Sequence, residues 1–202
     1  GDNYFVADNP PYGVEFTYHL KDKYKSKVDK RKEKEKEIEK AGGTVSVPDW
    51  SLLDEEKKEI APNVWIFIYN SEGKIIRKIK AKNSKGFNRI SWNLLTESMF
   101  TISADNLNSK RLGFKVEPGN YSAELFKQIE GKYATISAQV AFNVYQFGKS
   151  SLAGSTPKKV VEHWKNVWSL RAKTSDFEND LKDTRNTIDV LLKAYDKAAS
   201  SD

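Results

Sequence analysis

The segment from Asn63 to Leu94 alternates apolar and polar positions in a way that predicts three β-strands joined by two tight turns. Asn70-Ser71-Glu72-Gly73 and Asn83-Ser84-Lys85-Gly86 supply the turns, because Asn and Gly tolerate positive φ values. Both faces of the first strand are apolar, with Val64, Ile66 and Ile68 on one face and Trp65, Phe67 and Tyr69 on the other. This segment is therefore predicted to form the centre of a β-sandwich core.

Two more segments show the two-residue period of half-buried strands. The first runs over Val14–Leu20, where Val, Phe, Tyr and Leu alternate with polar residues. The second lies between Val116 and Phe147, with turns at Glu117–Asn120 and Glu130–Lys132 and a last strand over Thr135–Val144. This pattern is typical of an antiparallel sheet with one solvated face. The fold class is therefore predicted to be mainly β with some α-helix.

A different pattern, made almost entirely of charged helix formers, covers Lys21–Ala41 and ends at Gly42-Gly43. We expect a solvated helix inserted between the first two strands, within an insertion of about residues 21–60 that also contains a short helix over Ser51–Ile60. Residues 21–40 hold ten Lys or Arg and six Asp or Glu, so they contribute +4 of the net charge of +6. The mixed signs favour a solvated spacer over a basic arm for an anionic partner, and no nucleic-acid-binding surface is predicted.

The C-terminal part changes to a helical period. After a Gly/Ser linker at residues 148–156, Pro157 occupies a typical first helical position. Ser175-Asp176-Phe177-Glu178 matches a capping box, which predicts that a second helix begins there. Apolar residues in the second half follow heptad spacing, and they are Phe177, Leu181, Ile188, Leu191, Leu192 and Tyr195. We predict a helical hairpin over 157–199, with self-association through these helices left open.

Composition excludes several classes of protein and site. The 202 residues include no cysteine, so disulfides, thiolate metal sites and cysteine nucleophiles are excluded. No run approaches the ~20 apolar residues of a transmembrane helix, so no membrane insertion is predicted. The two histidines, His19 and His163, lack metal-ligand spacing, and no nucleotide-binding or hydrolase motif occurs. We therefore predict no catalytic residues, no metal and no cofactor. Since the chain starts without Met, we interpret it as a piece of a longer protein.

Four aromatic residues are candidates for a ligand platform: Trp65, Phe67, Tyr69 and Trp50. The first three form a row of rings on one strand face, which could stack on sugar rings. The alternative is that the charged helix or the C-terminal hairpin covers this row. Trp50 could likewise stack on a ligand, or it could hold a returning loop against the domain.

Several of these segments resemble the C-terminal region of large secreted bacterial proteins, chiefly from Bacteroidetes. Those proteins carry sortilin-like, BNR-repeat β-propellers and are often labelled glycosyl hydrolases. The resemblance covers nearly the whole chain, and its most specific pieces are Asp8-Asn9-Pro10-Pro11, Gly86–Leu94 and Pro118–Tyr121. Asn93 stands where the family more often has Asp, and Asn120 where it usually has Thr.

The resemblance implies an Ig/fibronectin-like module followed by helices, located outside the cytoplasm. It carries no catalytic residue onto this chain, because any hydrolase activity of the family would belong to the propeller. We expect domains at 1–147 (the sandwich) and 157–199 (the hairpin), and a non-catalytic accessory or interaction module whose partner is the propeller or another protein. The alternative is a carbohydrate-binding module for a polysaccharide, and an isolated enzyme is the third hypothesis.

Overall fold

The computed structural model describes residues 12–99, 112–148 and 153–199. The chain forms two compact units, Gly1–Leu94 with Pro118–Tyr145, and Leu95–Glu117 with Gln146–Asp202. The sequence-based boundaries instead placed Leu95–Glu117 inside the sandwich. Of the predicted linker at 148–156, residues 149–152 lie outside the described part of the chain, as do residues 1–11.

The first unit contains most of the strands and two short helices. In chain order these are β1 (Val14–Leu20), α1 (Lys27–Lys40), α2 (Trp50–Lys58), β2 (Asn63–Tyr69), β3 (Ile75–Ala81), β4 (Gly86–Trp92), β7 (Gly119–Ile129), β8 (Lys132–Thr135) and β9 (Val140–Val144). The second unit contains β5 (Leu95–Glu97), β6 (Leu112–Lys115) and α3 (Pro157–Ala199).

Every strand pair in the described residues is antiparallel. In the first unit, β3, β2, β7 and β8 follow one another across a five-stranded sheet, and β9 also pairs with β7. β1 and β4 form a separate two-stranded sheet, and β5 and β6 form another in the second unit. The predicted mixture of antiparallel β-structure with a C-terminal helix is confirmed.

The core of the first unit lies under the inner face of β2, where Val64, Ile66 and Ile68 are buried. Trp92 of β4 is only 1% exposed, and its ring makes edge contacts with Tyr121 (6.0 Å between centroids) and with Phe142 (6.2 Å). Phe142 also contacts Phe16 of β1 at 5.6 Å. Large aromatic side chains therefore join the β1–β4 pair to the five-stranded sheet.

Asparagine side chains hold the predicted turns. Asn70 Oδ1 accepts hydrogen bonds from the backbone N–H groups of Glu72 and Lys74. Asn83 accepts from the Tyr24 N–H at 2.9 Å and donates to the Tyr24 carbonyl at 2.8 Å. These bonds tie the start of the charged insertion to the turn before β4, which explains why a polar side chain is needed at residue 83.

The predicted strand over Thr135–Val144 is wrong in its extent. The chain forms β8 and β9 instead, and both pair with β7. Between them, the Ser137 hydroxyl accepts a hydrogen bond from the Leu125 N–H at 2.9 Å. A side chain thus replaces a backbone partner, and the ladder is interrupted at that point.

The predicted helical hairpin is also wrong, because α3 is one continuous helix of 43 residues. Residues 158–199 contain neither Gly nor Pro, so nothing in the backbone chemistry ends the helix near residue 175. Thr174 Oγ1 donates to the Leu170 carbonyl one turn earlier at 3.0 Å, a bond that fits a helix interior. A capping-box sequence caps only where a helix begins, and here the helix passes through it.

The short helix predicted over Ser51–Ile60 begins and ends slightly earlier, as α2. Asp49 precedes it, and Asp49 Oδ2 accepts a hydrogen bond from the Ser51 hydroxyl at 2.8 Å. Ser51 is therefore inside the first turn and is not the cap.

Candidate functional site

The predicted aromatic row lies on the face of the five-stranded sheet that is opposite its core. Trp65 is directly paired with Phe126, and Phe67 with Glu124, on β7. On the other side, Lys80 and Lys78 of β3 are paired with the same two aromatic residues. Directly paired residues share a face in an antiparallel sheet. Aromatic, cationic and anionic side chains thus meet on one surface.

Four rings on this surface contact one another, and we call Trp65, Phe67, Phe126 and Tyr133 the aromatic patch. The Phe67 ring stacks on Phe126 with centroids 4.4 Å apart, and it lies 5.4 Å from Tyr133. Trp65 meets Tyr133 edge to face at 6.3 Å. Phe126 and Tyr133 are not among the predicted platform residues, because strand pairing brings them to the patch and their own positions in the chain give no signal.

The four rings differ in how much surface they offer. Phe67 is only 6% exposed, since Phe126, Tyr133 and the Lys78 ammonium, 5.0 Å from its centroid, lie against it. Tyr133 is 44% exposed, and Trp65 is half-buried. The cover over Phe67 comes from strands of its own sheet. Phe67 therefore supports the patch, and the exposed Tyr133 with the half-buried Trp65 and Phe126 forms its accessible part.

Polar groups surround the patch and orient it. Trp65 Nε1 donates to Gln128 Oε1 at 2.9 Å. Glu124 accepts from the Thr135 hydroxyl at 2.6 Å and from the Tyr69 hydroxyl at 3.2 Å. Burial raises the pKa of Tyr69, and the nearby Glu124 charge raises it further, so Tyr69 stays a donor at neutral pH. The third residue of the predicted row is thus engaged with a carboxylate.

Trp50, the fourth predicted platform residue, is the first residue of α2 and is 78% exposed. The alternative that it holds a returning loop against the domain is not observed. The ring contacts that define the patch do not include Trp50. Any ligand contact made by Trp50 is therefore separate from those of the patch.

The charged insertion pairs many of its ions internally. The Arg31 guanidinium donates to Glu56 through two nitrogens, at 2.7 and 3.0 Å, and to Glu35 at 2.6 Å. Lys27 Nζ lies 3.0 Å from Glu55. Hydrogen bonds to Arg31 lower the pKa of Glu56, and the same pairing raises the pKa of Arg31. These cations are neutralised by α2 and by α1 itself, which agrees with the spacer interpretation of the insertion.

A separate cleft of about 370 Å³ lies in the first unit between β1 and the five-stranded sheet, lined mainly by apolar side chains such as Val14, Phe16, Leu125 and Phe142. Its volume is near the lower end for ligand pockets. The hydroxyl of Ser137, a polar group in its lining, already binds the Leu125 N–H and the Ala138 carbonyl. The cleft thus offers mainly apolar contact, and the polar side chains of Glu15, Thr17, Tyr18 and Glu124 also line it.

Within residues 12–99, 112–148 and 153–199, no three His, Cys, Asp or Glu side chains cluster in a way that could hold a metal ion. His19 lies beside Phe87 and His163 beside Trp164. Of the helices described, none is long and apolar enough to cross a bilayer.

Comparison with known proteins gave no match to a family model, to a curated protein or to a solved structure.

Proposed function

We propose that this chain is a non-catalytic interaction module of a larger secreted protein. The observation that carries the proposal is the surface of α3, where large apolar side chains are exposed along most of the helix. They are Leu170, Phe177, Leu181, Ile188, Leu191, Leu192 and Tyr195, each at least half exposed. Contiguous apolar surface of this kind marks sites of protein association.

The architecture of the first unit supports the same proposal. Aromatic contacts between the β1–β4 pair and the five-stranded sheet are those expected of an Ig/fibronectin-like sandwich. Such domains commonly serve as spacers and binding modules in extracellular proteins. The resemblance to propeller-bearing secreted proteins supports an extracytoplasmic location, with the propeller or another protein as the partner.

Site-specific photo-crosslinking tests the interaction function. A photoreactive benzoylphenylalanine replaces Leu181 in one variant and Asn186 in a control variant, and each is produced in the cells that naturally make the protein. Both positions are exposed, but they lie on different sides of α3. We expect protein adducts at position 181 and few at position 186. No adduct at position 181 would refute an interaction through this face.

A reducing-sugar assay on a panel of polysaccharides tests the non-catalytic part. We expect the purified chain to release no sugar. Release that is proportional to protein concentration and constant through further purification would contradict the proposal.

Carbohydrate binding is the second candidate function, favoured by the accessible Tyr133 and Trp65 rings with Gln128 and Lys78 beside them. Exposed aromatic rings flanked by polar groups suit stacking on sugar rings. In affinity gel electrophoresis against soluble polysaccharides, binding at the patch would be lost in Tyr133→Ala and kept in Trp50→Ala. Loss in Trp50→Ala alone would move the platform to α2, and no retardation by any polysaccharide would eliminate this candidate.

A further inference from the structure

Continuous heptad spacing runs through α3 from Val160 to Ala198. We infer that α3 pairs with α3 of a second copy as a parallel, in-register, two-stranded coiled coil. This inference rests on the proposed interaction function and specifies its partner. The continuity of the helix is essential here, because a hairpin with a joint near residue 175 would divide the repeat into two short pieces.

The residues of the seam occupy heptad positions a and d. The a positions are Val160, Val167, Thr174, Leu181, Ile188 and Tyr195, and the d positions are His163, Leu170, Phe177, Thr184, Leu191 and Ala198. Nine of these twelve residues are apolar, and the polar ones are His163, Thr174 and Thr184. Mainly apolar a and d positions over more than three heptads are the signature of a coiled coil. Four of the six a residues are β-branched, and Leu occupies d twice, a combination that favours two strands over three or four.

The described residues leave most of this seam exposed. Seven residues of α3 up to Asn179 are buried or half-buried, and they are Val161, Val167, Trp168, Ser169, Ala172, Ser175 and Asn179. Five of them occupy b or f positions, roughly opposite the a/d seam at 100° per residue, Ser169 occupies a c position, and Val167 alone belongs to the seam. Intrachain contacts are therefore concentrated on one side of the helix, and the apolar seam lies mostly on the other.

The C-terminal half of α3 has little support from its own chain. Every residue from Asp180 to Ala199 is exposed. Helices in water owe most of their stability to packing of an apolar face. A second helix laid along the seam would cover Leu181, Ile188 and Leu191 together.

The charges beside the seam agree with a parallel dimer of this chain with itself. In a parallel pair, each g residue faces the e residue five positions later on the other helix. Lys173 then faces Glu178 of the second copy, and Asp180 faces Arg185 of the second copy. Two-fold symmetry repeats both attractive pairs. In the fully overlapped antiparallel pair, Glu178 and Asp180 would each face their own counterpart, which is repulsive.

Sedimentation equilibrium of the full chain tests the dimer. We expect twice the chain mass of 23.0 kDa at micromolar concentration. Leu191→Lys, at a d position, should raise the dimer Kd on the order of a hundredfold, because one buried Leu is lost from each copy. Val190→Lys is the matched control, since Val190 is 65% exposed against 63% for Leu191 but occupies a c position. A monomer, a trimer or an equal effect of both variants would overturn the inference.

Disulfide trapping tests the orientation, and the absence of native cysteine makes it unambiguous. Thr174→Cys and Thr184→Cys should each form a disulfide-linked homodimer under mild oxidation, because a parallel pair places identical positions together. The fully overlapped antiparallel pair would instead link residue 174 to residue 184, and only when the two variants are mixed. Mixed-only linkage would overturn the parallel assignment. A monomeric chain that still forms adducts at position 181 with a different protein would overturn the dimer and leave the proposed function intact.

Discussion

The sheet of the first unit and the helix of the second both carry large apolar side chains on outer faces, but only the sheet provides cover for its own. Phe67 is almost buried because Phe126 and Tyr133 come to it from neighbouring strands. Along α3, Leu181, Ile188 and Leu191 have no comparable cover from the described residues. A central strand such as β2 has neighbours on both sides, whereas α3, a single helix of roughly 65 Å at 1.5 Å per residue, extends past what the described residues of its own unit cover.

The largest effect should come from emptying the core of the first unit. Trp92→Ala removes a ring that is 1% exposed and touches Tyr121 and Phe142, and we expect a loss of about 3–5 kcal/mol in the free energy of unfolding. Denaturant titration followed by near-UV circular dichroism measures it. Trp50→Ala, which removes a 78% exposed Trp, should change stability little. Dimer formation through α3 should survive in both variants, and its loss in Trp92→Ala alone would show that α3 depends on the core of the first unit.

The second-largest effect should be that the melting temperature of α3 depends on protein concentration and that of the sheet does not. If α3 depends on a second copy, each tenfold dilution weakens its association by about 1.4 kcal/mol and lowers the melting temperature of the helix by a few degrees. The melting of the sheet, followed through Trp92 and its aromatic neighbours, should not depend on concentration. Circular dichroism at 222 nm and in the near-UV region measures both transitions in one sample. If the melting of α3 did not depend on concentration, α3 would not need a second copy, and the difference from the sheet would disappear.

A smaller loss of stability should appear at low pH, in the contact between α1 and α2 of the charged insertion. The pKa of Glu56 is lowered in the folded chain by Arg31, so its contribution to stability is complete above the ordinary value of 4.5. That contribution is lost as pH falls through the lower pKa of the folded state. We therefore expect the contact between α1 and α2 to weaken below about pH 4.5, and chemical shifts of α1 amides across a pH titration would report it.

Arg31→Gln is the control for this acid effect. It removes the guanidinium that lowers the pKa of Glu56, so the acid-dependent change should shrink in α1 and stay absent from α3. An undiminished change in the variant would assign the effect to another carboxylate.

The smallest effect concerns the turn between β7 and β8, where Glu130 and Gly131 both have positive φ. This is the geometry of a two-residue hairpin turn that prefers Asn-Gly. Glu130→Asn should therefore stabilise the first unit by roughly 0.5–1 kcal/mol. Glu72→Asn, in a turn position whose φ is not positive, should give no such gain. Thermal unfolding of both variants measures the change in stability. Equal shifts in melting temperature would show that the positive φ of residue 130 is not the cause of the gain.

Local features of the fold were predictable because short stretches of sequence encode them. The turn at Asn70–Gly73 follows from the conformational freedom of Gly73 and from hydrogen bonds made by Asn70 within its own loop. The end of the charged helix before Gly42 is similar, since the chemistry lies within a few residues. The hairpin turn at Glu130-Gly131 was likewise found, between β7 and β8.

Features that depend on distant partners were not predictable in the same way. The sequence Ser175-Asp176-Phe177-Glu178 can cap the start of a helix, but it can equally lie inside one. Only the structure shows that α3 continues through this segment. The strand over Thr135–Val144 has a regular period, but the Ser137 hydroxyl takes the Leu125 N–H and divides it. The aromatic patch could likewise not be predicted without the register of β2 against β7 and of β7 against β8. Those registers place Phe126 and Tyr133 beside Phe67.

The sequence by itself therefore determined which residues are apolar, at what period, and where the chain turns. It determined the antiparallel β-structure, the charged helix in its insertion and the helical character of the C-terminus. The tertiary structure decided which face of each element is covered and by what. Hydrophobic burial depends on the residues that surround a side chain in space, and most of those residues are far away in the chain. The heptad spacing of the last twenty or so residues was already visible in the sequence, but only the fold shows that one continuous helix carries the seam and that the seam is exposed from Leu181 onward.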